Sequence, residues 1–489
     1  MRAAYDAATV RAAEQPLLDA LPDGALMQRA AFALARRCAA MLAPVYGSRV
    51  VLLVGSGGNG GDALYAGARL AARGARVDAL LLTDHPLAPA LAALQDAGGR
   101  TTRAGGEADA TLLAQASLVL DGMVGIGSSG ALREPMAGIV ELLDASSAVV
   151  VAADVPSGVD ASTGVVAGAA VRADVTVTFG ALKAGLLVDP GAGYAGLVEC
   201  VDIGLDLPAA DLIALDAADV ADLLPSPGDE SDKYRRGVVG IVAGSDGYPG
   251  AAQLCVGGAL AAGVGMIRFV STRGPSEAVR RRWPEAVVTE IGPGDADAMR
   301  AAGRVQAWVV GPGLGTGAEA KRLVEAALSS DVPVLLDADA ITVLAEHPEL
   351  LSRRARPTLV TPHAGELARL TGGERKQIEA NRLTAARDAA RAHDVTVLLK
   401  GSTTLIADLS GETRVNTAAT PYLATAGSGD VLAGVCGALL AGGLAPLDAG
   451  AAGTFLHGMA GLIASGEPAA PITAMDIVDE LSEAIRLTR

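Results

Sequence analysis

The chain is poor in cysteine, in aromatic side chains and in basic charge, and each shortage removes a class of protein. Its four cysteines (Cys38, Cys200, Cys255 and Cys436) lie far apart among 489 residues, with no Cys-x-x-Cys pair and no neighbouring histidines. That spacing excludes a disulfide scaffold and a zinc ribbon. The thiols are expected to be reduced and buried, as free cysteine is in the core of a cytoplasmic protein. Lysine and arginine total 39 against 55 acidic residues, a net charge of -16. A nucleic-acid surface needs the opposite balance, so no nucleic-acid partner is expected. The first twenty residues mix Arg, Asp and Glu, which does not fit a signal peptide. One stretch, Gly247 to Ile267, carries no charge over 21 residues, about the length of a membrane span. Six of those residues are glycine and one is Pro249, so a glycine turn followed by a buried helix is the better reading. No membrane association is expected.

What the chain does have is apolar content and glycine. Hydrophobic residues make up 51% and charged residues 19%, so the chain must collapse rather than stay disordered. Glycine supplies 61 residues, above the ~7% of average usage, in short bursts between apolar runs. The length suits two or three domains. Apolar-rich runs at Val50–Val54, Val77–Leu82, Leu118–Leu120, Val149–Ala153 and Val175–Phe179, interrupted only by Asp78, Thr176 and Thr178, alternate with helical spacing, as at Asp62–Arg73. That alternation predicts a parallel sheet covered on both faces. The pattern breaks at Pro225-Ser226-Pro227-Gly228 and the charged Asp229–Arg236. It restarts at Val238–Ala243 and continues through Ala307–Val310, Val334–Leu336, Leu359–Thr361 and Val395–Leu399. The expectation is two doubly wound α/β domains, 1–224 and 237–489, joined by a linker at 225–236.

In the first half, Gly55-Ser56-Gly57-Gly58-Asn59-Gly60-Gly61-Asp62 follows a strand and opens a helix. Its backbone N–H groups can approach an anion at the helix N-terminus. No acidic residue ends the second strand, as ribose binding would require, and no Gly-Lys-Ser/Thr follows as in a Walker loop. Two more strands end at the same edge, one at Asp121 and one at Asp154. Asn59, Asp121 and Ser157 offer hard oxygen ligands, suited to an alkali or magnesium-like cation. An isolated strand-end aspartate can equally be a helix cap.

These elements, with Asp154-Val155-Pro156-Ser157-Gly158-Val159-Asp160, Thr163-Gly164 and Phe179-Gly180-Ala181-Leu182-Lys183, resemble the NAD(P)H-hydrate epimerase domain over about residues 10–205. The resemblance implies a Rossmann-like fold. It also implies substrate contacts from Gly58, Asn59, Gly60, Gly61 and Asp62, from Gly125, Ile126, Gly127, Ser128, Ser129, Gly130 and Ala131, and from Asp154 as catalytic acid/base. Potassium is implied on Asn59, Asp121 and Ser157. The family's Asn-Asn-Gly-Gly-Asp is changed here, since Gly58 stands for the first asparagine and one side-chain amide is missing.

In the second half, Ala426-Gly427-Ser428-Gly429-Asp430 precedes a long apolar helix. Gly427 and Gly429 can present N–H groups to a transferring phosphoryl group. Asp430, in the first helical turn, can take a proton from an attacking hydroxyl. Lys400-Gly401-Ser402-Thr403-Thr404 closes another strand with a cation and hydroxyls that suit a nucleotide phosphate. Of the five histidines only His363 sits in a motif, Thr361-Pro362-His363-Ala364-Gly365-Glu366-Leu367. His85, His347, His393 and His457 read as surface or satisfied core. The Gly-x-Gly-Asp arrangement resembles the ribokinase-like superfamily.

Ala243-Gly244-Ser245, Tyr248-Pro249-Gly250-Ala251-Ala252, Gly311-Pro312-Gly313-Leu314-Gly315 and Asp337-Ala338-Asp339-Ala340 narrow the likeness. In this order, over about residues 233–486, the motifs are similar to the ADP-dependent NAD(P)H-hydrate dehydratase. That likeness implies hydrate contacts from Ala251, Gly313, His363 and the catalytic Asp430, and adenine-nucleotide contacts from Lys400, Gly401, Ser402, Thr403, Thr404 and Gly429. ADP as co-substrate with Mg2+ is implied; the residues themselves do not separate ADP from ATP.

The implied activity is repair of hydrated NADH and NADPH in the cytoplasm, by a chain expected to self-associate as a homo-oligomer. One half interconverts the R and S hydrates, and the other dehydrates the S form to NAD(P)H, AMP and phosphate. Two readings stay open at this level: a small-molecule kinase of the ribokinase-like type, and a first half that only binds nucleotides or partners.

Overall fold

The computed structural model describes residues 1–352, 354 and 356–489. They form two compact units, Ala3–Asp211 and Leu212–Arg489 together with Met1–Arg2.

The first unit contains β1 (Arg2–Tyr5), β2 (Arg49–Val54), β3 (Arg76–Leu81), β4 (Arg100–Arg103), β5 (Leu118–Gly122), β6 (Val149–Ala153), β7 (Val175–Phe179), β8 (Leu182–Lys183) and β9 (Leu197–Val201). Seven of these form a parallel sheet in the order β4-β3-β2-β5-β6-β7-β9. Ala4 and Tyr5 of β1 pair with Leu182 and Lys183 of β8. Both sheet faces are covered. Val50, Leu52 and Val54 pack with Leu34, Leu64 and Leu70 of the helices Ala25–Leu42 and Gly58–Ala71. Val51 and Leu53 pack on the other face with Leu113, Ile139 and Leu143. Alternate side chains of one strand thus enter two cores, which is why the strand is apolar without interruption.

The second unit adds β10 (Leu212–Ala214), β11 (Val238–Val242), β12 (Met266–Ser271), β13 (Val287–Glu290), β14 (Ala307–Val310), β15 (Val334–Leu336), β16 (Thr358–Val360), β17 (Thr396–Leu399), β18 (Thr404–Ala407) and β19 (Thr413–Asn416). Their order is β13-β12-β11-β14-β15-β16-β17-β18-β19-β10. Only the β17–β18 and β18–β19 pairs are antiparallel. The uncharged stretch after β11 is a helix, Pro249–Ala261, packed closely on the helix Ser428–Ala441. A Cβ added at Gly258 would lie 2.3 Å from the Val431 carbonyl oxygen, and one at Gly434 2.0 Å from that of Cys255. Glycine is required at both positions by this backbone approach. Among the described residues no helix is long and apolar enough to cross a membrane.

The units divide between Asp211 and Leu212, earlier than the expected domain end at 224. Leu212 and Ile213 pair in parallel with Thr413 and Arg414, and Val220 and Leu224 are buried in the second core. The Pro- and charge-rich 225–236 segment is therefore a loop into β11 within the second unit. Of the four cysteines three are buried, and Cys200 on β9 is exposed.

Candidate active sites

In both sheets the strand order reverses once next to the first strand of the parallel run, between β2 and β5 in one unit and between β11 and β14 in the other. Ligands of open α/β sheets bind outside the carboxyl ends of the strands at such a reversal. The glycine turns after β2 and β11 lie there, and other motifs follow the ends of β5 and β6 in one sheet and of β14 to β17 in the other.

In the first unit the chain after β2 bends against the chain after β5. Gly55 N–H donates to the Gly122 carbonyl (3.1 Å), and a Cβ at Gly55 would fall 1.7 Å from the Met123 carbonyl oxygen. The helix Gly58–Ala71 opens directly above this crossing. A cavity of about 550 Å3 lies over the edge, lined among others by Gly58, Asn59, Asp62, Gly125, Ile126, Gly127, Ser128 and Asp154. Ser129, Gly130 and Ala131 continue the loop but do not line it. Gly60 and Gly61 do not line it either and are closely packed: added Cβ atoms would meet the Gly55 carbonyl at 2.2 Å and the Leu87 and Met27 side chains at 2.8–2.9 Å.

Asn59, Asp121 and Ser157 come together beneath the cavity. The buried Asp121 carboxylate accepts from Ser157 N–H (2.8 Å), Ser157 Oγ (2.7 Å) and Met123 N–H (3.1 Å). Ser157 Oγ in turn accepts from Val124 N–H at 3.1 Å. Asn59 Nδ2 donates to the Val124 and Ala153 carbonyls. No cationic side chain among the described residues pairs with Asp121, and burial pushes its carboxyl up to about 6. An all-oxygen cluster around an uncompensated buried carboxylate fits a monovalent cation.

Asp154, at the end of β6, has a left-handed backbone with φ 67°. Such a conformation is unusual for a non-glycine residue and tends to mark functional positions. Its Oδ1 accepts from Lys183 Nζ (2.5 Å), Thr178 Oγ1 (3.0 Å) and Phe179 N–H (3.2 Å). Lys183 is almost fully buried and also donates to the Phe179 carbonyl and Thr178. The strand-end sequence Phe-Gly-Ala-Leu-Lys contained this lysine, but nothing in its spacing showed that it reaches Asp154. Two further residues escaped the sequence reading altogether: Arg11 and Glu14, on the helix Ala7–Ala20, line the same cavity. Arg11 donates to the Ile126 carbonyl at 3.0 Å.

In the second unit Gly244 N–H donates to the Pro312 carbonyl (2.8 Å) across the reversal. Gly313, with φ 61°, packs so tightly that an added Cβ would lie 2.9 Å from the Cβ atoms of Ala251 and Tyr248. Two expected substrate contacts are thus adjacent. Gly427 (φ 86°) caps the helix Ser428–Ala441, whose first turn carries Gly429 and Asp430. His457 is buried with its Nε2 3.0 Å from the Ser428 carbonyl oxygen and 3.2 Å from Ser428 Oγ. Burial lowers its pKa to about 4, so the ring is neutral and its N–H can hold this turn in place. The satisfied-core reading of His457 holds, with the refinement that the bond braces the turn that carries Gly429 and Asp430.

Lys400 ends β17. Its Nζ donates to Asp337 Oδ1 at 2.7 Å, and Thr361 Oγ1 donates to the same oxygen at 2.7 Å. Glu366 Oε2 lies 3.9 Å away, and a Cβ at Gly429 would sit 3.3 Å from the ammonium. The cation therefore stands at the helix N-terminus beside Gly429. Gly401, Ser402, Thr403 and Thr404 form the following turn, and Arg382 supports it from below through the Lys400 and Thr403 carbonyls. Sequence reasoning missed Arg382, which carries no motif signal.

Asp430 receives no hydrogen bond from the described residues. Its carboxyl is pushed up to about 7, first by burial and next by the Asp337 charge, with Lys400 opposing. His363 Nδ1 accepts from Gly365 and Glu366 N–H groups and so caps the helix Ala364–Thr371. Burial lowers its pKa, and the cap fixes the neutral tautomer with a donor at Nε2. His363 also bridges Lys400 backbone to backbone, which brings it to the same edge.

Both units are similar to known proteins. Residues 239–483 match the family model described as NAD(P)H-hydrate dehydratase, and residues 23–185 that of the YjeF-related protein N-terminus. The chain is 48% identical over 450 residues to the bifunctional NAD(P)H-hydrate repair enzyme of Mycobacterium tuberculosis, covering 91% of this chain and 90% of that one. It is 46% identical over 494 residues to the corresponding Mycobacterium leprae protein, covering 99% of each. A crystal structure of the ADP/ATP-dependent NAD(P)H-hydrate dehydratase of Bacillus subtilis, with ATP and Mg2+, aligns with a TM-score of 0.51 and 28% identity. It covers 56% of this chain and 98% of its own. A ribokinase-like superfamily protein of Enterococcus faecalis, 22% identical with a TM-score of 0.50, shares the fold. The chain belongs to the bifunctional NAD(P)H-hydrate repair enzymes, in which a Rossmann-like epimerase domain is joined to a ribokinase-like dehydratase domain.

Proposed function

We propose that the unit Ala3–Asp211 interconverts the R and S hydrates of NADH and NADPH, and that the unit Leu212–Arg489 dehydrates the S form with ADP. The observation that carries the dehydratase reading is Asp430: a carboxyl without a hydrogen-bond donor, raised to about 7, beside the Lys400 ammonium at a glycine-lined helix N-terminus. A base with a pKa near the working pH is the most effective one. Asp430 takes the proton of the hydrate hydroxyl, and the freed oxygen attacks the terminal phosphoryl of ADP. Lys400 and the N–H groups of Gly429 and its neighbours meet the charge spreading over the transferring oxygens. AMP leaves, phosphate then departs with the carbon–oxygen electron pair, and loss of a ring proton restores the reduced nicotinamide.

No cluster of three His, Cys, Asp or Glu side chains that could hold a metal is present among the described residues, and Asp337 is already engaged by Lys400 and Thr361. That fits Mg2+ carried in on the nucleotide phosphates, where it would neutralise their charge. In the first unit Asn59, Asp121 and Ser157 would hold K+, which would offset the buried Asp121 charge beneath the substrate loop.

The test uses the full chain, a mixture of hydrate epimers, and Mg2+ with ADP, with ATP or with neither, while reduced-nicotinamide absorbance is followed. Full recovery with nucleotide is expected, because epimerisation feeds the dehydratase. Recovery of only the S fraction removes the epimerase reading. Phosphorylated alcohols without restored absorbance would instead identify a small-molecule kinase. Replacing K+ by Li+ is expected to slow epimerisation and leave dehydration of pure S hydrate unchanged; equal epimerisation rates would remove the cation assignment.

A further inference from the structure

Epimerisation at one carbon needs a proton given on one face and taken on the other. Water added across the enamine of a reduced nicotinamide leaves its hydroxyl on the carbon beside the ring nitrogen. That hydroxyl departs as water once protonated, because the nitrogen lone pair fills in behind it to give an iminium. A water adding to the opposite face yields the other epimer if a base takes its extra proton. The site therefore needs one carboxylic acid and one carboxylate, and two groups held in contrasting surroundings supply such a pair.

The cavity over the first sheet holds three carboxyl groups, Glu14, Asp62 and Asp154. Asp154 is tied to the cation Lys183 and to two neutral donors, all on Oδ1, and none of these bonds reaches Oδ2. Asp62 is as deeply buried as Asp154 but differs in its partners. It is 7% exposed, its Oδ1 has no hydrogen-bond partner, and no cationic side chain among the described residues pairs with it. An ionised carboxylate so placed would be poorly solvated and without a cation, whereas a protonated one is neutral and can donate. We propose that Asp62 is the general acid of the epimerase, working with the Lys183-held Asp154 as base. The groups facing it are Asp154 and Glu14, with Arg11 and Lys183 beside Glu14, and burial together with the two acids drives the Asp62 carboxyl well above the usual carboxylate range.

The step balances. Asp62 gives its proton to the ring hydroxyl, and the carbon–oxygen bond breaks with its electron pair leaving on water. A solvent water then bonds to the same carbon from the other face and gives a proton to Asp154. The pair ends with its protonation exchanged, ready for the reverse passage. The inference rests on the epimerase reading of this unit and deepens it.

The experiment uses full-length protein, pure R hydrate, K+ and no nucleotide, so that only epimerisation runs, with appearance of S followed by chromatography. Asp62→Asn can donate a hydrogen bond but not a proton. Its kcat is expected to fall by about 10²–10⁴ with little change in KM, and the high-pH limb of the wild-type profile should vanish. Unchanged thermal unfolding of the variant reports intact folding of this unit, and ADP-driven dehydration of pure S hydrate, measured on the same sample, should be unaffected. A raised KM with preserved kcat would overturn the proposal and make Asp62 a ribose-binding acceptor. In wild-type protein, product S hydrate is expected to carry one oxygen from labelled water; unlabelled product would overturn the iminium step. Absence of epimerisation in the wild-type chain would instead sink the epimerase reading itself.

Discussion

Asp154 and Asp430 both lie at the carboxyl edge of a parallel sheet, close to where its strand order reverses, and each has a partly or fully buried lysine nearby. The lysines are directed differently. Lys183 pairs with Asp154 itself, whereas Lys400 pairs with Asp337 and leaves Asp430 without a partner. The first arrangement holds one oxygen of the reacting aspartate in a fixed ionic contact. The second keeps a cation next to the anion-binding turn while the Asp337 charge raises the proton affinity of Asp430. The same fold geometry thus makes an anchored carboxylate in one unit and a base poised near 7 in the other. Which aspartate the lysine pairs with sets the surroundings of the strand- and helix-end carboxyl, more than the presence of an Asp–Lys couple in the motif.

Substitution of Asp430 breaks this comparison most severely. Asp430→Asn keeps the size of the side chain but removes the base, so ADP-driven dehydration should fall by about 10²–10⁴. Epimer interconversion, assigned to Asp154 in the other unit, should continue unchanged. Single-turnover dehydration and epimer chromatography on the same preparation check both halves. A variant that dehydrates at near wild-type rate would remove Asp430 from the mechanism. Loss of both activities in folded protein would mean that the two sites are coupled.

A smaller effect is expected at Asp337, and it is read as a pH shift. The Asp430 carboxyl is raised from 3.8 to about 7, by burial first and Asp337 second, while Lys400 lowers it. Asp337→Asn removes the repelling charge and frees Lys400 to interact with Asp430. Both changes favour the ionised base, so the acid limb of the dehydration profile should move to lower pH, by about one unit. Slower turnover is expected alongside, because Lys400 loses the bond that sets it beside Gly429. If activity drops and the limb stays in place, Asp337 supports the fold and not the base.

The sequence carried the class of both units because central stretches such as Val50–Val54 and Val238–Val242 are buried on both faces and carry no polar side chain. Strands rich in polar residues were harder to see. Arg100–Arg103, at one edge, has three of its four residues exposed, and Thr413–Asn416, although flanked by strands on both sides, has only one apolar residue. Their pairing depends on neighbours far away in the chain. The short β10 is not visible in the sequence for the same reason: three residues hold no periodicity, and only pairing with Thr413 and Arg414 shows where they belong. Motif residues such as Asp154, Asp430 and Lys400 were legible as chemistry at strand and helix ends. Their partners were not. Lys183 reaching Asp154, Asp337 holding Lys400, and Glu14 on a helix before the glycine turn are contacts made by the fold and not by spacing.

The mildest test concerns Gly58, where this chain departs from the Asn-Asn-Gly-Gly-Asp pattern of the epimerase family. Gly58 opens the helix Gly58–Ala71 and lines the cavity. A Cβ added there meets nothing within 4 Å, and the residue does not have positive φ, so asparagine fits without strain. If the family's amide contacts the hydrate, Gly58→Asn restores one hydrogen bond, a net ~0.5–1.5 kcal/mol. That corresponds to a rise in epimerase kcat/KM of roughly two- to tenfold, with dehydration of S hydrate unaffected. Replacing a helical glycine should also raise stability by a few tenths of a kcal/mol, which thermal unfolding would register separately from activity. A variant that is more stable but no faster would show that the missing amide is compensated in this chain. Arg11 and Glu14, which reach the same cavity from the Ala7–Ala20 helix, are the groups placed to do so.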